Sequence, residues 1–296
     1  LYASCTTGRD LRSSNYWESV NVCVSNIYWS ISWLSYSFFL KETAARECGR
    51  NKGKPLKRTL KQVTEKGDRK MNMKQLCAKE ALKYIKDGMC VGLGGGSTVG
   101  FLAEYLAKEG KRVTVVTPSD DTAELCKNLG LIVLSLEMVE YIDIAFDGCD
   151  ELDRCLNALK SNGAIHTKEK IIASMAQKYV LLIDESKLYE TLPLKDSVTL
   201  EVVPQGRNYV QAQVEKLGGK AVMRKSGAKA GFVISDNGNY ILDTYFTEVD
   251  AFAGKPAELH QKLKQLTGVV ETALFIDVVA FALCVCGDEV KVIEKQ

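Results

Sequence analysis

The sequence predicts a doubly wound, Rossmann-like α/β fold with a mostly parallel sheet, interrupted by a smaller inserted α+β domain. Three observations carry this. Residues 89–107 read as a buried strand, a glycine loop and a helix in direct succession. Hydrophobic strands then alternate with helices as far as Asp184. After about Ser197 the texture changes to short strands and a hairpin turn, before buried-strand character returns at the C-terminal end.

Each element follows from local pattern. KQLCAKEALKYI (74–85) spaces Leu76, Ala78, Ala81, Leu82 and Ile85 for a helix. Asp87-Gly88 makes a turn, MCVGLG (89–94) is a short buried strand, and GGSTVGFLAEYLA (95–107) is a helix with a glycine-rich, hydroxyl-bearing start. VTVVTPS (113–119) is a second strand, DTAELCKNLG (121–130) a helix closed by Gly130, LIVLSL (131–136) a third strand and YIDIAFDG (141–148) a fourth. A helix over KIIASMAQKYV (170–180) and a strand over LLID (181–184) continue an alternation that implies a parallel sheet with right-handed crossovers. Beyond Ser197 come VTLEVVP, VQAQVEKLGG, AVMR, FVISDNGNYILD with its turn at Asp236-Asn237-Gly238-Asn239, and a helix near 256–266. VVETALFI and FALCVCGDEVKVI return to buried strands. The expected division is 71–197 plus 270–296 for the Rossmann-like domain and 198–269 for the insertion.

Length and composition bound the function. A chain of 296 residues suits one large domain with an insertion. A formal charge of +2 is too small to argue for nucleic acid or a membrane as the main partner, which leaves a small molecule. Ten cysteines show no CxxC pairs, and only Cys284 and Cys286 sit close, so they read as reduced thiols of a cytoplasmic protein. The first seventy residues differ from the rest. All three tryptophans (Trp17, Trp29, Trp33) precede Met71, and all six methionines lie at or after it. Val20 to Leu40 carries no charge and a basic stretch follows, the outline of a signal anchor or transit segment, but its serines and asparagines weaken a membrane span. Residues 1–70 are expected to be an extension outside the fold, poorly ordered or an upstream read-through.

The chemistry sits between residues 92 and 187. In GLGGGSTVG (92–100) glycines let backbone N–H groups approach an anion, and Ser97 and Thr98 add hydroxyls at a helix N-terminus whose dipole favours negative charge. Phosphate suits that pattern; a dinucleotide fingerprint and a plain tight turn are the alternatives. The glycines form no clean GxGxxG, and no acid ends the second strand to hold a cofactor ribose. Asp147 and Asp150 follow the fourth strand, so both carboxylates should stand at the carboxyl edge of the sheet, where such folds bind ligands. Helix capping by Asp150, with Glu151 in the first turn, is the equal alternative. Lys160, before the small turn Ser161-Asn162-Gly163, is either a solvated loop lysine or one whose ammonium the turn aims into the same crevice. Glu169 stands in the first turn of a helix capped by Thr167. There it is either a partner of the helix dipole or, if burial raises its pKa toward neutrality, a general base. His166 reads as a pocket wall, and neither it nor His260 has metal-ligand spacing.

The order GGGST, DGCDE, Lys160 with its turn, TKEKIIA, then IDESK ending at Lys187 resembles ribose-5-phosphate isomerase of the A type. The resemblance runs from about Lys74 to the C-terminal end and includes VVP (202–204), KLGG (216–219) and SDNGNYILD (235–243). It implies an aldose–ketose isomerase that interconverts D-ribose 5-phosphate and D-ribulose 5-phosphate through a cis-enediol(ate), in the non-oxidative pentose phosphate pathway. It implies no metal and no organic cofactor, and a cytoplasmic homodimer or homotetramer that binds neither nucleic acid nor membrane. Glu169 matches the catalytic base and Lys160 the lysine that stabilises the enediolate. Asp147 and Asp150, with Gly148 and Cys149 between them, match the acids that hold sugar hydroxyls and assist ring opening or proton relay. Gly95, Gly96, Ser97, Thr98 and Lys74 fall at the phosphate end. Ser161, Asn162 and Gly163 fall in the family's glycine run beside the lysine, and Lys187 matches a substrate-binding lysine. Four positions depart from the family pattern: Gly95 replaces a threonine, Cys149 an alanine, and Ser161 and Asn162 two glycines. ETALFIDVVAFALC (271–284) also lacks the glycines usual there. The alternative is a non-catalytic phosphosugar-sensing protein of the same fold, against which the retained Glu169 and Lys160 argue. A coenzyme A transferase matches by sheet architecture alone.

Overall fold

The computed structural model describes residues 72–227, 230–246 and 252–295, so the expected N-terminal extension lies outside the described residues. Helix α1 (Met73–Leu82) opens on Asn72, which accepts from the Gln75 amide while the Gln75 side chain accepts from the Asn72 N–H, a reciprocal cap. Strand β1 (Cys90–Leu93) leads through three glycines into α2 (Ser97–Lys108). That helix buries Val99, Leu102, Ala103 and Leu106, one stripe at helical spacing. Next come β2 (Thr114–Val116), α3 (Asp120–Asn128), β3 (Ile132–Val133) and β4 (Ile144–Asp147). After β4 lie two short strands, β5 (Glu151–Asp153) and β6 (Ala158–Leu159), then α4 (His166–Met175), β7 (Tyr179–Asp184) and β8 (Leu188–Tyr189). The chain continues through β9 (Val198–Val202), α5 (Arg207–Lys216), β10 (Lys220–Met223), β11 (Tyr240–Tyr245) and α6 (Pro256–Lys264). It closes with β12 (Val269–Thr272), β13 (Leu274–Phe275), β14 (Phe281–Cys286) and β15 (Glu289–Ile293).

The main sheet has the order β15-β14-β7-β4-β1-β2-β3 and is parallel except for β15. The chain runs outward from β1 to β2 and β3, then resumes on the other side with β4. The strand order therefore reverses between β1 and β4, and the crevice at their carboxyl ends is where doubly wound sheets bind ligands. Close packing at this seam requires glycine. A Cβ on Gly92 would stand 2.5 Å from the Ala145 Cβ and 2.9 Å from Ile172 Cγ2, so its absence lets α4 lie against the sheet.

A second, antiparallel sheet (β10-β11-β9-β12) packs Val198, Leu200, Val202 and Leu242 against Val210 and Val214 of α5 and Leu259 and Leu263 of α6. A third (β13-β6-β5-β8) includes β6, whose end at Leu159 leads directly into Lys160.

Several elements differ from expectation. The predicted helix over 170–180 begins at His166 and ends at Met175, because Ala176 turns to extended backbone and Tyr179 and Val180 pair with Ala145 and Phe146 of β4. Asp150 caps no helix, since Glu151–Asp153 is a strand. β3 shrinks to two residues at the open edge of the sheet, where only one side is paired. β12 pairs with β9, which carries the small sheet to Thr272, past the expected boundary at 269.

Candidate active site

The phosphate end is built from the β1–α2 loop. Gly96 has φ 88°, a conformation glycine adopts without strain, and it turns the chain so that α2 starts with no side-chain cap on its N-terminal N–H groups. Those donors, the helix dipole and the Ser97 and Thr98 hydroxyls face one region. Lys74 of α1 donates to Ser97 Oγ at 2.8 Å, which places its ammonium beside the same loop. The loop is pinned from α3 by the buried Thr122 hydroxyl, which donates to the Gly94 carbonyl at 2.9 Å. A Cβ on Gly94 would meet Asp147 Oδ1 at 2.0 Å, so this glycine is what lets the loop pass over the acid. At Gly95 an added Cβ would meet only Ser119, at 3.9 Å.

The sugar end is a buried charge cluster. Lys160 Nζ lies 3.1 Å from Asp147 Oδ2 and 3.3 Å from Glu169 Oε1, and it donates to the Gly148 carbonyl. Asp147, Lys160 and Glu169 are 3 %, 5 % and 5 % exposed, so water screens little of this interaction. The Tyr179 hydroxyl donates to Asp147 Oδ2 at 3.1 Å. Burial, and then the Asp147 carboxylate, push the Tyr179 phenol up, which keeps it a proton donor. For Lys160 burial works against the charged form, but Asp147 and Glu169 outweigh it and the net direction is upward. Glu169 is also held above the usual carboxylate range. Burial raises it to about 8, Lys160 pulls down and Asp147 adds to the rise. Its Oε1 faces Lys160, while Oε2 is buried with no hydrogen-bond partner among the described residues.

A cavity of about 570 Å³ lies along this edge. It is lined by Lys74, Gly95, Gly96, Ser97, Thr98, Asp147, Gly148, Cys149, Asp150, Lys160, Asn162, Gly163, Glu169 and Lys187, which brings together every expected site residue except Ser161. Ser161 is buried, and its hydroxyl donates to the Ser197 carbonyl on the side of the small sheet. Asp150 holds the turn after Lys160: its carboxylate accepts from Ser161 N at 2.6 Å, Asn162 N at 3.3 Å and Asn162 Nδ2 at 2.6 Å. Lys187 donates to the Cys149 carbonyl at 2.6 Å. Burial pushes the Cys149 thiol up to about 12, so it is a neutral wall.

Two sequence readings need correction. Thr167 does not cap α4; Ile165 precedes the helix without a side-chain bond, and the Thr167 hydroxyl donates to Glu201 instead. His166, the first residue of α4, does not line the cavity; its Nε2 lies 3.3 Å from the Glu271 carbonyl, and burial lowers it to about 4. Reasoning from pattern also missed Tyr179, placed inside a helix, and Asp120, Asp121 and Asp236, which line the cavity. Proximity of Asp120 and Asp121 to Ser119, the cap of α3, was the available signal. Among the described residues no group of three or more His, Cys, Asp or Glu is arranged to hold a metal ion.

A helix-start phosphate loop facing a buried acid–lysine–acid cluster defines a phosphosugar enzyme equipped for proton transfer. Comparison with known proteins makes this specific. The sequence model of ribose 5-phosphate isomerase A (phosphoriboisomerase A) matches residues 114–289. The chain is 40 % identical over 228 residues to ribose-5-phosphate isomerase A of Thermococcus kodakarensis, covering 75 % of this chain and 98 % of the relative. The relative from Trichodesmium erythraeum is 38 % identical over 211 residues, 70 % of this chain and 87 % of its own. Ribose 5-phosphate isomerase A from Methanocaldococcus jannaschii superposes with a TM-score of 0.69 at 35 % identity, over 75 % of this chain and 98 % of that one. A D-ribose-5-phosphate isomerase solved in complex with phospho-erythronic acid gives 0.71 at 36 % identity, over 76 % and 100 %. The chain belongs to the ribose 5-phosphate isomerase A family. A second family model, the DeoR C-terminal sensor domain, matches residues 69–136 and so stops short of Lys160 and Glu169.

Proposed function

We propose that the chain interconverts D-ribose 5-phosphate and D-ribulose 5-phosphate, with Glu169 as the base that carries a proton between C1 and C2. The observation that carries this reading is the Glu169 carboxyl itself: buried, raised to about 8, with one oxygen on Lys160 and the other unpartnered. A base poised near neutrality can both take and return a proton, which an ordinary solvated glutamate does poorly. Taking it from the carbon next to the carbonyl leaves negative charge on an oxygen. Lys160, held charged between two carboxylates, is a preorganised partner for that charge. Asp147, donated to by Tyr179 and paired with Lys160, is suited to hold sugar hydroxyls and relay protons during ring opening. Gly96, Ser97, Thr98 and Lys74, which line the cavity, are suited to hold the phosphate away from the reacting carbons, so that its binding energy orients the sugar. The relative that binds phospho-erythronic acid supports a phosphorylated sugar as the ligand class.

The strand pairings support a catalytic unit of about 72–197 plus the strands after Thr272, and an inserted unit over about 198–272. Seven free cysteines among the described residues support a reducing, cytoplasmic location, and no described helix is long and apolar enough to cross a membrane. A homodimer or homotetramer is the expected assembly, which light scattering on the purified chain tests.

The reaction is tested by incubating ribose 5-phosphate with the protein in D₂O and following substrate and product by NMR. Ribulose 5-phosphate should form, with solvent deuterium entering next to the carbonyl, and Glu169→Gln should slow both by about 10²–10⁴-fold. A folded protein that binds the sugar phosphate without product or exchange would instead be the sensor.

A further inference from the structure

We propose that Glu201 is a positioning residue for the reaction, fixing the helix that carries the base through the hydroxyl of Thr167. This rests on the isomerase reading. Glu201 lies on β9 of the small sheet and is 1 % exposed. A carboxylate taken so far from water is costly unless its lone pairs are filled. The bonds found on it come from four neutral donors. Oε1 accepts from Ser235 Oγ at 2.8 Å, Asn237 Nδ2 at 3.1 Å and Asn239 Nδ2 at 2.7 Å, while Oε2 accepts from Thr167 Oγ1. Its two oxygens therefore join two different segments. One gathers the turn between Ser235 and Asn239; the other holds the first turn of α4, two residues before Glu169.

The same two segments are tied a second time, since Lys168 Nζ meets Asp236 Oδ2 at 2.6 Å and Asp236 lines the cavity. α4 needs outside support at this end. Its N-terminus has no side-chain cap, and it follows Ala164, whose φ of 60° is a left-handed conformation that costs a non-glycine residue energy. A base acts on carbon only when held within a fraction of an ångström of its productive position. The inserted sheet thus serves the chemistry by setting where Glu169 stands.

Thr167→Val tests this, because it keeps the side-chain shape and removes only the hydroxyl bond, leaving the three donors on Oε1 in place. The expected result is a kcat lower by roughly ten- to a hundredfold, little change in KM, and a displaced rising limb of kcat against pH, since the spacing of Glu169 and Lys160 shifts. Thr167→Ser should restore both kcat and the position of the limb. If valine prevents folding, Thr167→Ala is measured for the same readouts. A folded variant with parental kcat and pH profile overturns the proposal, whatever its melting temperature does. Parental turnover in Thr167→Val beside an inactive Glu169→Gln would remove the role of Thr167 and leave the isomerase reading standing. No turnover by the parent would remove the reading itself.

Discussion

At the residue scale the reaction turns on a carboxyl whose neighbours pull in opposite directions. Burial, the largest effect, raises Glu169 to about 8; Lys160 lowers it and Asp147 raises it further. The base must be unprotonated to act, so kcat/KM should climb as pH rises through that value and level off above it. Lys160→Met removes the lowering influence, so the limb should move to higher pH while kcat falls by about 10²–10³, the loss expected when a developing oxyanion loses a donor. A pH–rate series on both proteins checks this, and a limb that stays in place in the variant contradicts it. Lys160 and Glu169 were legible in the sequence because each stands at a fixed place beside a turn or a helix start. The partner of Thr167 was not, since Glu201 lies 34 residues further on in a different sheet.

At the element scale the β1–α2 loop makes two opposite predictions for neighbouring glycines. Neither Gly94 nor Gly95 has a positive φ, so side-chain space alone decides. Gly94→Ala drives a methyl into the Asp147 carboxylate, and the folded variant should lose about 10² in kcat, as misplacement of a reacting group does. Gly95→Thr has room, its Cβ meeting only Ser119 at 3.9 Å, and the added hydroxyl should lower KM for ribose 5-phosphate by about fivefold, the worth of one hydrogen bond. Steady-state kinetics test both; an unchanged KM in Gly95→Thr would mean that no phosphate oxygen comes near that position. Strand, loop and helix were readable here because three glycines and two hydroxyls interrupt an apolar run. The end of α4 was not, because Lys178-Tyr179-Val180 continues a plausible helical pattern, and only pairing with β4 makes Tyr179 and Val180 strand residues.

At the scale of the whole molecule the site costs stability. Glu169 titrates near 4.5 when exposed and about 8 when folded, so between those values the folded protein binds more protons than the unfolded one. Stability then falls as pH rises through that window. Glu169→Gln keeps the shape without ionising, so its melting temperature should exceed the parent's by a margin that grows from pH 5 to pH 8, an activity–stability opposition familiar in active sites. Thermal melts of both proteins across that range decide it; a constant margin would mean that the carboxyl is not desolvated. The main sheet was largely legible from its alternation of apolar strands and helices. The small third sheet was not, because strands such as Ala158–Leu159 and Leu274–Phe275 are too short to show a period, yet they place Lys160. The attachment of the inserted sheet to α4 was also hidden, since it rests on side chains that meet only in the folded chain.

The most direct test is the turnover of ribose 5-phosphate to ribulose 5-phosphate by the full chain beside Glu169→Gln, without added metal, with sugar-phosphate binding measured on both by calorimetry. The parent should turn over, and the variant should bind but turn over about 10²–10⁴-fold more slowly, the contribution of a general base. A variant that isomerises as fast as the parent would contradict the assignment of Glu169.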